Sequence, residues 1–153
     1  MTLRNKTVGA LIAATSLSVF LVACGSGSDA PAINVFLGKF DGSFSQLATP
    51  AGMTSSALTD LFDEAYLDAG YNKAQLKTTL AADAAALTAS PDLSLFPNAT
   101  MSNITVSGCD ANGICTLSAT LKNSDVDATE VTFTTKVKNV NNSYVFYGDQ
   151  ASS

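Results

Sequence analysis

The hydrophobic pattern of this chain changes period near Pro91. Before it, apolar residues recur at three- and four-residue spacing, the period of a helix with one buried face. Leu58, Leu61, Phe62, Ala65, Tyr66 and Ala69 follow that rule, with Asp60, Asp63, Glu64 and Asp68 mainly on the other side. The spacing predicts a helix over 54–69, capped by Thr54, Ser55 or Ser56 and closed by Gly70. A second helix follows at once. Asn72 and Gln75 form a capping-box pattern, Leu76, Leu80, Ala84 and Leu87 form the stripe, and Ser90-Pro91 ends it. Beyond the Pro-bounded loop 91–98 the period becomes two, rich in Thr, Val, Ile and Phe. Strands are expected at 101–109, 115–122, 129–140 and 143–149, joined by short turns such as Asn123-Ser124-Asp125 and Asn141-Asn142. Helices followed by a run of hairpin-linked strands define an α+β domain, with helices packed on an antiparallel sheet of about four strands.

Ahead of the first helix the pattern is less regular. Ile33–Phe40 reads as a short strand or a first helical turn, and Asp41-Gly42 and Pro50-Ala51-Gly52 read as breakers.

The N-terminus carries a different message. Arg4 and Lys6 precede an apolar run from Val8 to Val22, about fifteen residues, too short and wrongly flanked for a spanning helix. The run ends in Leu21-Val22-Ala23-Cys24, which resembles the bacterial lipobox. That resemblance implies cleavage before Cys24, a diacylglyceryl thioether on its sulfur and acylation of the new amine. Residues 1–23 are then a lipoprotein signal peptide, 24–32 a flexible Gly/Ser tether of roughly 15 Å, and 33–153 the single folded domain. Gly25 rather than Asp follows the cysteine, which in enteric-type sorting favours the periplasmic face of the outer membrane over the inner membrane.

Cleavage would leave 130 residues, enough for one core. Arg4 and Lys6 leave with the signal, so six basic residues face thirteen acidic ones and the net charge is −7. That balance argues against nucleic acid and against electrostatic docking on anionic lipid. The membrane contact expected is through acyl chains on Cys24, each buried methylene contributing about 0.8 kcal/mol.

The chain has no His, which removes Ser-His-Asp and Cys-His nucleophiles, imidazole proton shuttles and His-containing metal sites. Of three cysteines, Cys24 is assigned to lipid, leaving Cys109 and Cys115. Two thiols are too few for a zinc site, and an exported chain meets an oxidising compartment, so a disulfide is expected, stabilising by about 2 kcal/mol. A type I′ turn at Asn112-Gly113 would pair Val106 with Ala119 and Ile104 with Leu121, but put the two cysteines on opposite faces. A bulge at Gly108–Cys109, or a five-residue loop, would reconcile the two.

Two segments resemble NTF2-like proteins, which have a cystatin-like cone fold. One is Phe62-x-x-x-Tyr66-Leu67-x-x-Gly70-Tyr71-x-Lys73-Ala74-Gln75, similar to their helix–corner–helix. The other is Tyr144-x-x-Tyr147-Gly148-Asp149-Gln150, similar to their last strand. The resemblance implies a strongly curved sheet wrapped against helices with a pocket between, and a long helix ahead of two shorter ones; only two helices are legible here.

Phe62, Tyr66, Phe133, Tyr144 and Phe146 are the candidate lining of that pocket, although any small core needs such aromatics. Enzymes of the resembled family use a pocket Asp with His or Tyr; Asp63, Tyr66, Asp68 and Tyr71 are the pieces available. Helical spacing puts Asp60, Asp63 and Glu64 away from the apolar stripe, so a solvated acidic face is the simpler reading, and no catalytic residue is assigned. Asp60, Asp63, Glu64 and Asp68 lack the Gly-turned loop of a calcium site, and Asp125-Val126-Asp127 reads as a turn, so no metal or cofactor is expected. Asn98, Asn103 and Asn141 begin glycosylation patterns that are chance matches in a bacterial lipoprotein. The function expected is a non-catalytic binding or accessory module for a small apolar ligand or an envelope partner. The alternatives are an assembly lipoprotein without ligand, or an isomerase, cyclase or dehydratase.

Overall fold

A computed structural model describes residues 30–91, 99–123 and 130–151. The lipobox, the signal run, residues 24–29 of the expected tether and Asp125-Val126-Asp127 lie outside these residues.

Helix α1 spans Ala30–Phe44 and buries Ala32, Phe36, Phe40 and Ser43. It replaces the expected short strand or single turn, and it takes in residues 30–32 of the expected tether. The reason is spacing. Ala32, Phe36, Phe40 and Phe44 stand four apart and fall on one face, while Gly38 and Gly42 are exposed on the other. Each glycine costs about 1 kcal/mol in a helix, against about 1.5–3 kcal/mol for burying each phenylalanine. Burial therefore overrides the breakers.

The helix expected over 54–69 is absent. Two four-residue helices stand instead, α2 (Pro50–Met53) and α3 (Ser56–Thr59). Thr49 caps the first by accepting from the Gly52 N–H at 3.1 Å, with Pro50 pre-set at the first helical position. Ser55 caps the second by accepting from the Leu58 N–H at 3.2 Å. After Leu61 the backbone groups turn to the far end of the chain. The Phe146 N–H donates to the Leu61 carbonyl at 2.7 Å, and the Asp63 N–H donates to the Phe146 carbonyl at 2.9 Å. A helix cannot spare those groups, so Leu61, Phe62 and Tyr66 pack inward from non-helical chain, Leu58 does so from α3, and Ala65 and Ala69 are left exposed.

Strands β1 (Leu67–Asp68) and β2 (Tyr71–Asn72) form a minimal hairpin. Ala69 and Gly70 make its turn with φ of 47° and 83°, so Gly70 serves a hairpin and not a helix end. Helix α4 (Lys73–Ala89) then starts on the expected capping box, Asn72 accepting from the Gln75 N–H and Gln75 from the Asn72 N–H. It buries Leu80, Ala84 and Leu87 and packs against α2.

The second half is a curved antiparallel meander in the order β3 (Ala99–Ser107), β4 (Ile114–Asn123), β5 (Val131–Val140), β6 (Ser143–Phe146). The domain is α+β, with α1 packed on β3 and β6 across the sheet. Cys115, Leu117, Ala119 and Val137 face the core, while Thr132, Thr134 and Lys136 face solvent. Asn141 and Asn142, both left-handed, turn β5 into β6.

Cys109 and Cys115 are bridged. The reconciling bulge lies elsewhere than expected. Ser102 pairs with Thr120 and Thr105 with Ser118, so Asn103 and Ile104 together oppose Ala119. Asn103 takes the left-handed conformation, φ 52°. The slip lets Met101 and then Ile104 and Val106 all turn inward. At the hairpin end Val106 pairs with Leu117, not Ala119, and Leu121 with Met101, not Ile104. The turn is a wider one than Asn112-Gly113 alone: the Asp110 carboxylate accepts from the N–H groups of Asn112 and Ile114 at 2.8 and 2.9 Å. The connection between β3 and β4 is residues 108–113, longer than the expected five-residue loop, and the bridge joins Cys109 within it to Cys115 on β4.

Candidate functional site: an aromatic cavity

The concave side of the sheet holds a cavity of about 200 Å³. Helix α1 supplies Phe40 and Phe44, the extended segment after α3 supplies Phe62 and Tyr66, and β1 supplies Asp68. The sheet supplies Leu121, Phe133, Thr135 and Phe146. Rings meet in a chain: Phe40 stacks on Phe44 at 4.0 Å between centroids, and Phe62 meets Phe146 at 5.4 Å and Tyr66 edge-on at 4.9 Å. Edge-to-face and offset contacts of this kind fix ring orientation as well as burying area.

Of the expected lining, Phe62, Tyr66, Phe133 and Phe146 come together here. Tyr144 does not. It is 2% exposed, two residues along β6 from Phe146 and so one full pleat away, in the core and not at the cavity wall. Phe40, Phe44 and Leu121 join the lining unforeseen; the four-residue spacing of the α1 phenylalanines was the signal that could have found the first two.

The polar end of the cavity is Tyr66 with Asp68. The Tyr66 phenol and the Asp68 carboxylate both line the cavity and interact electrostatically. Burial, then the charges of Asp68 and Asp149, push the phenol up to about 12. It therefore stays protonated and neutral at physiological pH. No Lys or Arg is among the described residues that line the cavity. This end can accept hydrogen bonds and balance a positive charge.

The remaining acidic candidates disperse. Asp63 is neither in the cavity nor on a solvated face: its carboxylate meets Lys138 at 3.3 Å with only 14% of the side chain exposed. Lys138 reaches it from the outer side of β5 and also lies 5.9 Å from the Tyr147 ring centroid. Glu64 pairs with Lys73 at 2.7 Å, and that ammonium holds the exposed carboxyl below its ordinary range. Asp60 and Tyr71 are exposed. Tyr66 and Asp68 are thus the two of Asp63, Tyr66, Asp68 and Tyr71 that share a site. Lys73 was not foreseen: it is 8% exposed and donates to the Phe62 carbonyl at 2.7 Å, pinning the cavity segment to α4. Among the described residues no cluster of three metal-binding side chains occurs, and no helix is long and apolar enough to cross a membrane.

No family model and no curated protein matches this chain. Two solved structures are similar to it. One is a protein of unknown function with a cystatin-like fold from Nostoc punctiforme, 12% identical, covering 75% of this chain and 86% of that one, TM-score 0.48. The other is a putative calcium/calmodulin-dependent protein kinase II association domain from Xanthomonas campestris, 8% identical, covering 75% of this chain and 80% of that one, TM-score 0.43.

Proposed function

We propose that this chain is a bacterial envelope lipoprotein, anchored through acyl chains on Cys24, whose NTF2-like domain is a non-catalytic binding module for a small apolar ligand. The observation that carries the reading is the cavity of about 200 Å³ walled by Phe40, Phe44, Phe62, Phe133 and Phe146. A space of about 150 Å³ lined by apolar side chains holds a benzene molecule, so this one takes a ring with a few further atoms. Leu21-Val22-Ala23-Cys24 supports the anchor.

Native mass spectrometry of the protein purified from its own envelope tests this. The expected result is an acylated N-terminal Cys24 and a small adduct lost on activation. A Thr135→Phe variant, which fills the cavity from β5, is expected to keep the acyl chains and lose the adduct. An unacylated chain would overturn the anchor, and an adduct indifferent to Thr135→Phe would overturn the cavity as its seat.

A further inference from the structure

Resting on the reading of the cavity as a ligand site, we propose that its occupant is a small organic cation, an apolar body about one aromatic ring in size carrying an ammonium head against Asp68. The lining holds five phenylalanines and Tyr66, five of these six rings contact one another in a chain, and the faces of such rings attract a cation. Asp68 is the one carboxylate among the described lining residues, and no basic side chain of the lining neutralises it. Tyr66, protonated at physiological pH, adds no competing charge beside Asp68. Asp149 adds a second negative charge close to the same end, where its carboxylate caps the Ala69 and Ala151 N–H groups at 3.4 and 2.7 Å.

Charge decides between ligand classes. An anion such as a fatty acid carboxylate would enter beside Asp68 and Asp149 with no cation to receive it, and burial of an unpaired like charge is strongly unfavourable. A neutral hydrocarbon would fill the aromatic part and leave the carboxylate end unused. An alkyl- or arylammonium satisfies both. The net charge of −5 for the whole chain draws cations toward the surface before any contact forms.

The test uses two probes of the same shape, benzylammonium and benzyl alcohol, titrated by NMR into the purified full-length chain. Benzylammonium is expected to bind about tenfold more tightly than the alcohol. Asp68→Asn is expected to bring the two within about threefold, by weakening the cation alone. Raising salt on the unmodified chain should weaken the cation and leave the alcohol unchanged, which tests the charge without any variant. Equal binding of both probes, or preference for the alcohol, overturns the cation and leaves the cavity as a ligand site. Binding of neither probe overturns both readings.

Discussion

The backbone of Phe146 is held between Leu61 and Asp63, its N–H donating to one carbonyl at 2.7 Å and its carbonyl accepting from the other residue's N–H at 2.9 Å. The last strand thereby gains a neighbour from the first half of the chain, and that neighbour carries Phe62 and Tyr66 into the cavity. The continuation is as tight: Leu67 and Tyr147 pair at 3.2 Å, and Gln150 returns to the Leu67 carbonyl at 2.9 Å. Cavity shape and C-terminal register are therefore set by the same contacts.

Gly148 sits where this approach is closest. Its φ is +80°, and a methyl group there would stand 2.1 Å from the Leu67 carbonyl oxygen. Gly148→Ala is expected to destabilise by about 2 kcal/mol or more, combining left-handed strain with a backbone clash. Gly38→Ala, at an open helical position, is expected to stabilise by up to about 1 kcal/mol. Urea denaturation of the pair should show midpoints moving in opposite directions.

The two bridged cysteines should respond unequally to substitution. Cys109 is exposed and Cys115 is 1% exposed. Cys109→Ser is expected to cost about 2 kcal/mol, the loss of loop closure alone. Cys115→Ser loses the bridge and also buries a hydroxyl against Val137 and Leu117, a further cost of about 1 kcal/mol or more. Thermal melts should rank wild type, Cys109→Ser and Cys115→Ser in descending order, and a reductant should bring wild type down toward Cys109→Ser.

Much of this architecture can be read from local pattern. The period-two strands, the Asn72–Gln75 cap and four of the cavity aromatics follow from residue type and spacing. What escaped is decided at long range. Ser55, an acceptable N-cap for one long helix, caps a four-residue one because Leu61 and Asp63 give their backbone groups to Phe146. The Asp41-Gly42 pair looked like a stop, yet Phe36 and Phe40 gain more from burial than the glycines cost. The Asn103 bulge had a local trace: inward residues run Met101, Ile104, Val106, a spacing of three and then two, which a regular strand cannot present on one face. Asp63 leaves the solvated face because its partner, Lys138, comes from β5, far away in sequence.

Lys73 should matter more than its ion pair with Glu64. Lys73→Met removes the donor to the Phe62 carbonyl and is expected to cost about 1–3 kcal/mol by leaving that acceptor unpaired. Glu64→Gln is expected to leave the melting temperature nearly unchanged at neutral pH, because Glu64 is exposed. The carboxyl of Glu64 is held low in the folded state, so its contribution is present above the ordinary carboxylate range and lost as pH falls through it. The acid limb of a stability–pH profile should be shallower in Glu64→Gln.

Tyr66 sets the alkaline limb. Its folded pKa of about 12 exceeds the ordinary value of 10.0, so above pH 10 the unfolded chain releases a proton that the folded chain keeps. Stability from this group is full below pH 10 and falls as pH rises from there toward 12. Phenolate absorbance should show a late-titrating tyrosine near pH 12, and Tyr66→Phe should remove that step and flatten the alkaline loss of stability.

Sheet edges take on a particular meaning for a chain concentrated on a surface. Under the lipid anchoring proposed above, copies held in one leaflet would meet in similar orientation, conditions under which a free strand edge recruits its neighbour into a growing ribbon. Here Phe146 of β6 gives its outward backbone groups to Leu61 and Asp63, and β3, the strand at the other end of the order, is interrupted by a bulge at Asn103 and Ile104. Both ends of the strand order are thus blunted against edge-to-edge pairing of neighbouring copies.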